Sequence, residues 1–266
     1  MAACWQGLAG RLGQLPRHRN LATLDAMDTS TIIATVQQFF HTLMSSGGDV
    51  AGAASSTAGK AIGGLDMAGL AALAAALGWA SGVRLYLVVF ITGLAGAMGW
   101  IPLPSGLHIL QHPAMLAGSG AMLFVEFFAD KIPGIDSLWD MVHTVIRVPA
   151  GAALAAGVFG ADSATMGAVA ALLGGTLAAT SHATKMTTRA AVNTSPEPFS
   201  NIAVSLAEEG GVMGMMWLAT NYPITFGVVL CIVLALSIVL IVVLLKFLKA
   251  VVRRATGFFS GNPQLA

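Results

Sequence analysis

Between Glu126 and Gly151 the chain sets Glu126, Asp130, Lys131, Asp136, Asp140, His143 and Arg147 among apolar residues. Ionisable groups next to hydrocarbon are expensive and need partners or a wet cavity. Asp136 and Asp140 are four apart and share a helix face, and His143 lies one turn from both Asp140 and Arg147. Three chemistries fit this pattern. One is a proton relay in which His143 titrates near neutral pH. Another is a hard-cation site built from carboxylates. The third is helix capping with interfacial ion pairs. No spacing matches a strong metal signature, so no metal is assigned.

Arg84 ends the stretch Trp79-Ala80-Ser81-Gly82-Val83-Arg84, Arg147 opens Arg147-Val148-Pro149, and Glu208-Glu209 precede Gly210-Gly211. Each stretch is expected to interrupt an apolar helix. A break exposes backbone groups that lipid cannot satisfy, so it must face protein or water. Transporters hold ions and substrates at such half-helix ends. Arg84 and Arg147 would then pair with Glu208 and Glu209 and exchange them for an anionic substrate; the alternative is a permanent clasp that fixes the bundle. His182, Lys185 and Arg189 recur at spacings of three and four and are followed by Asn193. That cationic face suits a phosphate or carboxylate headgroup, or simply snorkels to the membrane surface. Ser195 and Ser200 lack a nucleophile elbow and no glycine-rich phosphate loop is present, so neither a catalytic residue nor a cofactor is assigned.

The elements that must position these groups are apolar. The chain is 56% hydrophobic and 9% charged, with a mean hydropathy of +0.79. A soluble domain carries about 25% charged residues, so an integral membrane protein is expected. Its 31 glycines suit close packing of membrane helices. A net charge of +1 points away from nucleic acid. Cys4 and Cys231 lie at opposite ends and suggest neither disulfide nor metal.

In chain order, residues 1–27 read as a disordered or untranslated tail, since Met27 offers another start. Asp28-Thr29-Ser30 caps an expected amphipathic helix over 28–44, lying on the membrane or a partner, and a flexible linker follows over 45–64. Residues 65–254 are expected to form six transmembrane helices, at about 65–100, 113–128, 136–160, 164–191, 201–220 and 224–245, before a tail over 255–266. The expected class is an all-α polytopic membrane protein of three hairpins with interrupted odd helices. Lysine and arginine fall at the ends of even-numbered spans and are missing from 101–112, 161–163 and 221–223. The positive-inside rule then puts both termini in the cytoplasm. Arg84 and Arg147 are 63 residues apart, as are Pro133 and Pro196, Glu126 and Arg189, and Arg147 and Gly210, which suggests a threefold internal repeat.

Ala80–Leu87, Ala129–Asp136, His143–Ala152 and Asn193–Asn201 resemble segments of one bacterial membrane-protein family, catalogued as domain of unknown function 4126. The resemblance covers about Leu65 to Arg254. It implies those domain boundaries and that these motifs are what the family is built on; it implies no activity. The reading is a small-solute transporter or channel of the bacterial inner membrane, with an anionic or proton-coupled substrate. The alternatives are a lipid-headgroup binder or lipid-modifying enzyme, and a non-catalytic scaffold. Expected partners are membrane lipid and a small ion or solute, with homo-oligomerisation left open and nucleic acid excluded.

Overall fold

The computed structural model describes Gln38 and residues 66–132, 134–160, 163–194 and 198–260. The expected tail, linker and amphipathic helix before residue 66 lie outside the described residues, apart from Gln38, which is helical. No strand occurs among the described residues. The helices are α1 Met67–Ala97, a 3-10 helix Ser105–Gln111, α2 Pro113–Ala129, α3 Ile135–Phe159, α4 Ala164–Val192, α5 Pro198–Asn221 and α6 Pro223–Ser260. Five of them (α1, α3, α4, α5 and α6) are long and apolar enough to cross a membrane. The sixth, α2, has 17 residues.

Local signals set the ends. The Asp66 side chain accepts from Gly69 N at 2.7 Å to cap α1, and Ser163 Oγ accepts from Met166 N at 3.3 Å to cap α4. His112 caps α2 with Pro113 in its first turn. Gly134 (φ +86°) and Gly160 (φ +60°) make the turns around α3, a conformation that side chains disfavour. Helix α6 runs well past the expected end at 245, because no proline or glycine interrupts Lys246–Thr256.

The bundle is apolar outside and charged within. Val145, Leu172 and Ile224 are more than 70% exposed, whereas Arg84, Arg147, Arg189 and Glu126 are completely buried. Its centre is a seam of small residues where α1, α3 and α4 meet. A Cβ on Gly78 would lie 2.6 Å from Gly174 Cα, and one on Gly174 would lie 2.8 Å from Gly151 O and collide with Ala155. Such approach lets backbones touch.

Helix α1 is interrupted as expected. Its backbone leaves helical geometry at Arg84 (φ −144°, ψ 78°). A glycine next to a serine is a usual site for a kink, and Ser81 Oγ bonds back to Gly78 O at 2.7 Å, which bends helices further. The two halves lead in opposite senses. Before the bend, Gly78 meets Gly174 and Gly82 meets Ala178, so the chain advances alongside α4 in the same direction. After it, Phe90 packs on Gly120, and Gly93 abuts Leu110 and Leu116 near the start of α2. That end of the bundle is also where Gly106 meets Gly157, late in α3, and where Gly167, early in α4, approaches Ala156 and Gly160. Arg84 is therefore the tip of a helical hairpin. Of the expected three hairpins with interrupted odd helices, the first leg is interrupted at Arg84, and there the chain reverses.

The other two interruptions are absent. Helix α3 continues through Pro149 and α5 through Gly210-Gly211. Proline removes one N–H while its fixed φ stays helical, and neighbouring helices hold the rest of the ladder. Glycine permits a break without imposing one; a Cβ on Gly210 or Gly211 would meet nothing within 4 Å. Without these two breaks, the repeat has no counterpart in the helices.

Candidate functional site

The hairpin tip brings the scattered charges together. Arg84 Nη2 lies 3.0 Å from Asp130 Oδ2, at the end of α2, and donates to Ser205 Oγ on α5 at 2.7 Å. Arg147 of α3 pairs with Glu126 of α2 and, at 2.8 Å, with Asp140 of its own helix. Lys185 of α4 sits between Asp130 at 2.8 Å and Asp140 at 3.2 Å. One turn on, Arg189 lies 3.9 Å from Asp136 and donates to the Asp130 carbonyl at 2.7 Å. Side chains of Arg84, Arg147, Lys185 and Arg189, and of Glu126, Asp130, Asp136 and Asp140, are at most 1% exposed. Four charges of each sign thus cancel in a completely buried core.

Three more charged groups form its rim. Glu208 (12% exposed) accepts from Arg189 Nε at 3.1 Å and Nη2 at 2.8 Å, the fork geometry that suits a carboxylate. Glu209 and Lys131 pair at 3.6 Å, and Lys131 Nζ stands 3.0 Å above the Phe127 ring, a cation–π arrangement.

The bent α1 is held by α4. A helix end leaves carbonyls without partners. Ser181 Oγ donates to Trp79 O at 2.6 Å and Lys185 Nζ to Val83 O at 3.3 Å. His182 Nδ1 lies 3.3 Å from both Gly82 O and Arg147 Nη1, and its Nε2 is 2.8 Å from Thr144 Oγ1. Two neutral tautomers satisfy this ring: Nδ1–H donating to Gly82 O, or Nε2–H donating to Thr144 while Nδ1 accepts from Arg147. The face of His182, Lys185 and Arg189 therefore points inward, where all three are buried, and does not snorkel to a surface. Ser181→Ala should lower stability by about 1 kcal/mol, the net worth of one buried hydrogen bond, measured by thermal unfolding in detergent. Thr176→Ala, whose hydroxyl bonds its own helix on an exposed face, should stay within about 0.5 kcal/mol of wild type.

Every predicted site residue except His143 lies in or against this network. Asn193 Nδ2 donates to Asp136 Oδ1 at 2.8 Å, and its Oδ1 accepts from Asn201 Nδ2 at 2.8 Å. His143 stands apart from the ion pairs. Its Nδ1 donates to Trp139 O at 2.8 Å, its Nε2 faces Tyr86 OH at 3.1 Å, and its ring stacks on Trp139. Asn201 and Ser205 were not singled out from the sequence. With Glu208 they recur at spacings of four and three, a polar stripe on the first half of α5 that helical periodicity reveals.

Within the core some polar atoms have no hydrogen-bond partner: Arg84 Nε and Nη1, Arg147 Nε, Glu126 Oε2 and Asp130 Oδ1. Neither oxygen of Asp140 has an aligned donor, although two cations lie within ion-pair distance. Such atoms are costly to leave bare, so the network is charge-balanced without being saturated. Among the described residues no group of three or more His, Cys, Asp or Glu could hold a metal ion.

A cavity of about 380 Å³ reaches the network between α1, α4, α5 and α6, with Lys185 and Glu208 in its lining. No curated protein and no solved structure matches this chain. A family model described as Domain of unknown function (DUF4126) matches residues 71–243, the whole span from Arg84 to Glu209, and the chain belongs to that family.

Proposed function

We propose that the protein is an integral membrane transporter or channel for a small ion or solute, working through the charged core around Arg84. The observation that carries this is eight completely buried charges at the tip of a broken helix, inside an apolar shell. Desolvating each ion costs several kcal/mol, and permanent structure does not need them: apolar side chains of like volume would pack a bundle as well. Helix ends and ionisable groups at membrane depth are what transporters use to bind cargo. The unsaturated donors and acceptors of the core favour this over an inert scaffold.

In this reading α1 is re-entrant and α2 to α6 cross. Helix α2, at about 26 Å, is within reach of a bilayer core. Lys131 and the bases at the end of α6 share one end of the bundle, while the loops at the other end carry no lysine or arginine. The positive-inside rule puts the network end in the cytoplasm and Asp66 on the opposite face, in place of the cytoplasmic start of the six-span scheme.

The test is flux into proteoliposomes holding the full-length protein, across a panel of inorganic ions and small organic acids. Wild-type vesicles should pass at least one solute well above empty vesicles, and Arg147→Gln should reduce that flux by tenfold or more. No flux for any solute would remove the proposal. The second reading is a lipid-headgroup binder, favoured by the mostly apolar cavity beside Lys185. It predicts saturable lipid binding without flux.

A further inference from the structure

We infer that the position held by the Glu208 carboxylate is an oxyanion-binding site, and that its ligand is an amphipathic anion: a carboxylate or phosphate monoester on an apolar body. Cations from two other helices converge on this one carboxylate. Arg189 grips both oxygens, Arg84 Nη2 stands 3.5 Å away, and Lys185 Nζ 3.6 Å. These cations are at most 1% exposed, whereas Glu208 is 12% exposed. The completely buried core is already neutral without Glu208. Glu208 and Glu209 both touch buried Arg84, at 3.5 and 3.3 Å, and either can leave with the core still balanced, but Glu208 alone of the two also meets Lys185 and Arg189; what it leaves behind is a fork of donors suited to an oxyanion. Buried Arg84 also keeps Nε and Nη1 without partners, two donors in excess of those Glu208 engages.

The cavity supplies the rest of the ligand's chemistry. Glu208 and Lys185 meet it, while Trp79, Val83, Val204 and Val233 make its walls. Trp79 is 9% exposed and its Nε1 has no partner. A charged head in the place of the Glu208 carboxylate would leave an apolar body of several carbons in this space. A cation fits poorly, because Arg84, Lys185 and Arg189 all stand at the same spot.

This names a substrate class for the proposed transporter and rests on that reading only for passage across the membrane. The experiment is isothermal titration of the full-length protein in detergent with octanoate, octyl phosphate and octylammonium, which share a chain and differ in the head. Octanoate or octyl phosphate should bind saturably and octylammonium should not; which anion binds tighter separates carboxylate from phosphate recognition. Glu208→Gln removes the resident competitor, so anion affinity should rise about tenfold, as for a site blocked about nine-tenths of the time. A gain of affinity cannot come from misfolding. Val233→Trp, which fills the cavity, should abolish binding.

Unchanged or weaker anion binding in Glu208→Gln, preference for octylammonium, or no anion binding in either protein would overturn the inference. If the anions bind as described but no solute crosses the vesicles, the transport reading fails and this site stands. If solutes cross and neither anion binds, this site fails alone.

Discussion

Arg147→Met is expected to lower stability by about 3–5 kcal/mol, the loss seen when one partner of a buried ion pair is removed. Arg147 faces both Glu126 and Asp140 at zero exposure. Without it four buried acids face three bases, and Glu126 keeps no close cation. The second substitution decides the cause. Glu126→Met added to Arg147→Met restores parity with side chains of similar volume, and most of the lost stability should return. On the transport reading flux should not return, because two of the eight core charges are gone. Unfolding of both single variants and the double variant in detergent, followed by flux for whichever proteins fold, completes the cycle. A double variant no more stable than Arg147→Met would mean that charge parity is not what holds the core.

Gly82→Val is the second large effect. A Cβ there would collide with Ala178 O and Ser181 Oγ, both on α4, so the helices must separate. Overpacking alone costs about 1–3 kcal/mol. Separation also weakens the bonds from Ser181 to Trp79 O and from Lys185 to Val83 O, adding about 1 kcal/mol for each. The hinge loosens with them, so flux should fall together with stability. Gly210→Ala is the matched control. Its Cβ would meet nothing within 4 Å in the middle of α5, and alanine favours a helix by about 0.5–1 kcal/mol over glycine. A drop in melting temperature for Gly82→Val with a small rise for Gly210→Ala is the expected pair. Equal and small effects would show that the seam between α1 and α4 is looser than the contacts indicate.

The candidate site was legible because charge is scarce in this chain. A residue such as Glu126 or Arg189, set in an apolar run, has few ways to be tolerated, so its presence marks a meeting place. The partners were less legible. The sequence places Arg84 and Arg147 with Glu208 and Glu209; Arg84 does lie 3.5 and 3.3 Å from them, whereas Arg147 meets Glu126 and Asp140. Pairing follows which helix faces touch, and spacing along one helix cannot report that. His182 and Lys185 show the same limit. Their shared face was visible; that it caps a broken α1 was not, since the carbonyls they reach lie about a hundred residues away in the chain.

The sequence by itself determined the all-helical class, the apolar runs that bound each helix, and the small set of residues able to do chemistry. These depend on local quantities: hydropathy over about 20 residues, the fixed φ of proline, and the rarity of ionisable groups. Only the tertiary structure decided where a helix breaks. Ser81-Gly82, Pro149 and Gly210-Gly211 each weaken a helix locally, and only the first gives way. There the neighbouring α4 offers Ser181, His182 and Lys185 to carbonyls at the bend, while Ser205 of α5 and Asp130 at the end of α2 receive the turned-out Arg84. A backbone ladder yields when outside partners replace what it loses, and those partners are brought within reach by packing alone.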